Sequence, residues 1–122
     1  MTTADLLLSG TAVLAGIIIL RTLVSRTKRI SKEALMGLLQ QGAQIVDVRT
    51  PQEFAQAHAQ GSRNIPLQEL GVRVSELERN KPVVVCCASG TRSSMAKTLL
   101  ERAGFTSVHN AGPWQSVGQV PG

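Results

Sequence analysis

The sequence predicts an α/β domain with a central, mostly parallel sheet flanked by helices and preceded by one transmembrane helix. Three observations carry this. Short β-branched, largely apolar runs at Gln44 to Val48 and Val83 to Cys87 read as strands buried on both faces, and a last strand is read at Ser107 to His109. Between them lie stretches with apolar residues at helical spacing, so strands and helices alternate as they do when crossover helices join parallel strands. Ahead of both, Leu6 to Leu20 carries no charged residue.

The chain has 122 residues, which suits one folded domain. It divides into residues 1–28, an anchor with a basic flank, and residues 29–122, the folded part. The uncharged run extends through Thr22, Leu23 and Val24 once Arg21 snorkels, giving about 19 residues, near the minimum that spans a bilayer. Residues 5–24 are the expected contact with lipid. A cleaved secretory signal would carry positive charge before the apolar run, and residues 1–5 hold no Lys or Arg. Arg21, Arg26, Lys28 and Arg29 all follow it, so the positive-inside rule places the domain on the cytoplasmic side of a single-pass membrane protein, in a bacterium the inner membrane. Ser9, Gly10, Thr11 and Gly16 dilute the run and leave a buried or interfacial helix as the alternative.

In the folded part Ile30 starts a short strand, and Ser31 caps a helix with Leu35, Leu38 and Leu39 on one face, stopped at Gly42. A buried strand follows at Gln44 to Val48. Thr50 and Glu53 form a capping box around Pro51, so a short helix runs from Pro51 to about Ala57. His58 to Arg63 reads as loop and Asn64 to Pro66 as extended chain. Leu70, Val74 and Leu77 line one helical face before Lys81 and Pro82 close it. The central strand, Val83 to Cys87, leads through Ala88, Ser89, Gly90, Thr91 and Arg92 into a helix expected over Ser93 to Ala103, capped by Ser93 and Ser94 and ended by Gly104. A last strand at Ser107 to His109 then turns through Asn110 to Trp114 into a final short helix.

Charge and cysteine content narrow the function. Five of the 13 basic residues lie within the first 32 positions against one carboxylate, Asp5, so most of the net charge of +5 belongs to the flank and not to the domain. With only two Phe, one Trp and no Tyr, a nucleic-acid surface of basic and stacking residues is not expected. Cys86 and Cys87 are the only cysteines and are adjacent, which excludes a disulfide framework and suits a reducing compartment. No metal site or cofactor is expected, because two histidines and an adjacent cysteine pair do not supply tetrahedral spacing.

Chemistry concentrates after the central strand. A cysteine at a strand end that feeds a helix N-terminus sits among unpaired amides and the positive end of the helix dipole, the surroundings that turn a thiol into a nucleophilic thiolate. Cys87 occupies that place. Gly90 allows the backbone angles of an anion cradle, Ala88, Ser89 and Thr91 keep it small, and Arg92 adds positive charge. Cys86, its strand neighbour, faces the other way as a small buried hydrophobe. Asp47 and Arg49 stand behind the loop, either lining the pocket or pairing with one another, with Asp47 also placed to orient a loop arginine. His58 reads as structural, His109 as a strand residue and Trp114 as a cover on the core.

The ordered landmarks resemble those of the rhodanese-like sulfurtransferase family over about Ile30 to Val117. Ile45 to Arg49 is similar to its Asp-x-Arg strand end, Glu53-Phe54 with His58 and Gly61 to its next segment, and Asn64-Ile65-Pro66 follows in place. Cys87 to Ser93 matches its catalytic loop, and Asn110-Ala111-Gly112 with Trp114 its closing turn, although Ala111 replaces the usual first glycine and Trp114 stands closer than is common. The resemblance implies a Cys87 persulfide formed from thiosulfate or a low-molecular-weight persulfide and passed to a thiol or cyanide, with Ala88, Ser89, Gly90, Thr91 and Arg92 binding the donor. A protein acceptor is an open variant, as is a membrane-anchored persulfide carrier or sensor with little generic turnover. Related phosphatases place one more residue between cysteine and arginine; the four here favour sulfur over phosphate.

Overall fold

The computed structural model describes residues 29–118. The expected anchor, residues 1–28 with the lipid contact over 5–24, lies outside them, and among the described residues no helix is long and apolar enough to cross a membrane. Elements alternate in the predicted order: α1 (Lys32–Gln40), β1 (Gln44–Asp47), α2 (Pro51–Gln56), β2 (Ser62–Asn64), α3 (Leu67–Arg73) with a 3-10 turn (Val74–Glu76), β3 (Val83–Cys87), α4 (Thr91–Arg102), β4 (Val108–Pro113) and α5 (Trp114–Gly118).

The sheet order is β2-β1-β3-β4 with every strand pair parallel. Beyond β4, Arg29 forms an isolated parallel bridge with Asn110; the short strand expected to start at Ile30 is not formed, and this single bridge stands in its place. Because side chains alternate along a strand, β3 feeds two cores. Val83, Val85 and Cys87 face the side covered by α3 and α4, with Leu70, Ala96 and Leu100. Val84 and Cys86 face the other side, with Leu35 of α1 and Val117 of α5. All five β3 residues are buried, so β3 is the axis of the molecule.

Local signals account for most boundaries. The Ser31 hydroxyl accepts from the Ala34 amide at 3.1 Å and starts α1. At α2 the capping box closes in both directions, Thr50 Oγ1 accepting from the Glu53 amide and Glu53 Oε1 from the Thr50 amide, each at 3.2 Å. Three boundaries differ from expectation. Helix α4 begins at Thr91, two residues early, because Gly90 takes φ +109° and starts the helix without any side-chain cap, so Ser93 and Ser94 are not its caps. Strand β4 continues through Asn110 to Pro113, where a turn is expected, since β3 pairs with it as far as Cys87 across a bulge between Val85 and Cys86. Strand β2 lies at Ser62–Asn64, two residues before the predicted extended piece.

Candidate active site

At the carboxyl end of β3 the chain folds back over its last residue. The Gly90 amide donates to Cys87 Sγ at 3.0 Å and the Ser93 amide at 3.3 Å, with the Ser93 hydroxyl also 3.3 Å away. The amides come from the helix start that Gly90 creates, so one backbone turn both opens α4 and aims donors at the sulfur. Burial raises the Cys87 pKa; the Ser93 hydroxyl and the amides of Ser93, Gly90 and Ser89 outweigh it and hold the thiol below its ordinary value. Cys87 is therefore a buried sulfur whose ionised form the loop favours more than a free thiol's.

Ser93 is wired behind it. Its hydroxyl has one proton and three acceptors in reach: the sulfur, Gly90 O at 3.1 Å and Asn110 Oδ1 at 2.7 Å. When Cys87 ionises the proton turns to sulfur, and Asn110 Oδ1 still holds the Gly112 amide at 2.8 Å. Asn110 on β4 thus fixes Ser93 from the neighbouring strand. Cys86 is the contrary case. Burial first, then the Asp47 charge, pushes its thiol up to about 12, which leaves it a neutral core residue.

Asp47 and Arg49 form a buried pair: both carboxylate oxygens accept from Arg49, at 2.7 to 3.0 Å. Arg49 also donates to Ala57 O at 2.8 Å and lies 4.8 Å from the Trp114 ring centroid. Of the two readings left open by the sequence, pairing is the one observed, and Asp47 orients its strand neighbour rather than a loop arginine. The loop arginine is held elsewhere. Arg92 reaches Glu53 with two hydrogen bonds, at 2.7 and 3.0 Å, and this contact, followed by the Thr50 amide, lowers the Glu53 pKa to about 2. Arg92 therefore ties the loop to α2, its charge taken up by a carboxylate. His58 is stacked on Phe54 at 3.8 Å and exposed, in keeping with a structural role.

The structure brings together Cys87, Gly90, Ser93 and the backbone amide of Ser89, leaves the side chains of Ala88, Ser89 and Thr91 at the exposed rim, and pairs Arg92 with Glu53. Sequence reasoning missed Asn110 as a support for Ser93 and Glu53 as the partner of Arg92. It also missed Arg29, whose side chain crosses Gly90 and Gly112 and donates to Ser89 O. A glycine at each crossing point, both with positive φ, is the only local sign of that passage.

Comparison with known proteins agrees with this geometry. The model of the rhodanese-like domain matches residues 31–112. A protein of unassigned role, YqhL from Bacillus subtilis, is 43% identical over 68 residues, 56% of this chain and 54% of its own length. The thiosulfate sulfurtransferase PspE of Escherichia coli is 42% identical over 69 residues, 55% of this chain and 66% of its own. The chain thus spans only about half to two-thirds of these two relatives. A solved rhodanese with anions from E. coli superposes with a TM-score of 0.60 at 37% identity, over 65% of this chain and 94% of that one. Since the matched residues run from the cap of α1 through β4 and include the whole cysteine loop, the chain belongs to the rhodanese-like sulfurtransferase family.

Proposed function

We propose that this protein is a sulfurtransferase that carries sulfane sulfur on Cys87 at the cytoplasmic face of a membrane. The observation that carries the reading is the cradle itself: amides of Gly90 and Ser93 converge on one buried sulfur whose pKa is depressed. In the first step the Cys87 thiolate attacks the outer sulfur of thiosulfate; a new S–S bond forms, the donor's S–S bond breaks, and sulfite leaves with the electron pair. In the second step a thiolate or cyanide attacks the outer sulfur of the Cys87 persulfide, and the Cys87 thiolate returns. The cradle amides stabilise the Cys87 thiolate, which is the attacking group of the first step and the leaving group of the second. Relatives named thiosulfate sulfurtransferase, and a related rhodanese described with anions, support a small anionic donor.

The test is sulfur transfer from thiosulfate and from glutathione persulfide to cyanide and to a thiol. Wild type is expected to show ping-pong initial rates and to gain the mass of one sulfur atom when donor alone is present; Cys87→Ser does neither. Absence of transfer from both donors overturns the reading. The Glu53–Arg92 pair favours one rival, a carrier that serves a single protein partner, because it removes a free cation from the donor site. Persulfide on Cys87 with negligible turnover to small acceptors would select that rival.

A further inference from the structure

A dianionic donor has to be drawn to a sulfur that is itself negative when reactive. Arg92, the one cation within the loop, has both terminal nitrogens on the Glu53 carboxylate. A second cation enters from outside the loop. The Ile30 amide donates to Asn110 O at 3.1 Å and Arg29 bridges the same residue, which brings the Arg29 side chain across the loop's two glycines. A Cβ at Gly90 would stand 2.9 Å from Arg29 Nη2, and one at Gly112 2.8 Å from Nε, so glycine at both positions admits the guanidinium. Arg29 Nη2 donates to the Ser89 carbonyl. The guanidinium therefore packs against Gly90, whose amide touches Cys87 Sγ. Among the described residues no carboxylate lies within ion-pair distance of Arg29, and it is exposed.

We propose that Arg29 is the anion-binding residue of the cradle, drawing anionic sulfur donors such as thiosulfate to Cys87 and setting a preference for them over neutral ones. This rests on the sulfur-transfer reading, so its test includes a measurement that needs no sulfur transfer. Iodoacetate and iodoacetamide alkylate a thiolate by the same displacement of iodide and differ in charge. The ratio of their rates on Cys87 reports the local cation.

In the full chain, Arg29→Gln is expected to lower the iodoacetate-to-iodoacetamide ratio about tenfold, the lower end of what a charged cleft contributes. Arg29→Lys is expected to keep most of it. The wild-type ratio should fall as salt rises from about 0.01 to about 0.15 M, shortening the screening length from about 30 to about 8 Å, while the Arg29→Gln ratio stays flat. In turnover, Arg29→Gln should raise KM for thiosulfate with little change in kcat. An unchanged ratio, or equal slowing of both reagents in Arg29→Gln and Arg29→Lys alike, overturns the proposal and leaves Arg29 as a mere prop for Ser89. Wild type that transfers no sulfur yet shows the salt-sensitive ratio overturns the proposed function and keeps the anion site.

Discussion

At Cys86 and Cys87 the strand pleat sends neighbouring thiols to opposite faces of the sheet, into separate cores. Burial acts on both, and what separates them is hydrogen bonding: Cys87 receives two amides and has a hydroxyl beside it, whereas Cys86 has hydrocarbon and the Asp47 charge. A thiol held below its ordinary value is ionised, and so reactive, at lower pH than a free cysteine, for which the midpoint is about 8.5. Alkylation by iodoacetamide should accordingly reach half its plateau rate below that pH, and mass analysis should find the adduct on Cys87 with Cys86 unmodified. Ser93→Ala removes one donor to the charged form and leaves the backbone amides. Its midpoint should move up by on the order of one unit, the value of a hydrogen bond to a charged group. A midpoint unmoved in Ser93→Ala would mean that the hydroxyl spends its proton on Asn110 in both states of the sulfur.

At the level of elements, the end of β1 and the start of α2 are locked by one buried ion pair. Asp47 is fully buried, and Arg49 adds bonds to α2 and its exit as well as the face of Trp114. Removing one partner strands a buried charge, which costs about 3–5 kcal/mol. Asp47→Ala should therefore lose that much in a urea titration, a large part of the roughly 5–15 kcal/mol that holds a domain together, with an unchanged m-value. A loss under about 1 kcal/mol would place the pair with surface ion pairs. This region also shows where the sequence is legible. The Thr50/Glu53 box, the Ser31 cap and the β-branched runs are contacts within a few residues, and pattern alone finds them. The Glu53–Arg92 contact spans 39 residues and Ser93–Asn110 spans 17, so both depend on which strands become neighbours. Glu53 and Ser93 each had a sufficient local explanation as capping residues. Glu53 performs its cap and the distant bond together; Ser93 gives up the cap because Gly90 starts the helix by backbone conformation alone.

For the whole molecule, residues 29–118 contain a sheet of four strands with covered faces and a satisfied site, and among the described residues no buried side-chain polar atom lacks a partner. The apolar run from Leu6 to Val24 lies outside those residues, and its charge pattern is the ground for expecting a single-pass anchor with the domain in the cytoplasm. Four residues lie between Val24 and Arg29, and an extended chain covers at most about 3.6 Å per residue, so an anchored domain would hold Arg29, the residue that reaches over its cysteine loop, within roughly 20 Å of the end of the run. The full chain should then sediment with membranes and resist carbonate extraction. Ile18→Arg, which places a charge in the run at a cost of about 3 kcal/mol, should shift it toward the extractable fraction while sulfur transfer is kept. In sealed vesicles of cytoplasmic-side-out orientation, protease should remove the domain, and in the opposite orientation spare it. Digestion only from the non-cytoplasmic side would reverse the orientation, and full extraction by carbonate would make the run an interfacial or buried helix. In that last case the loop would still have Arg29 as its neighbouring cation, because the bridge to Asn110 belongs to the sheet and not to the anchor.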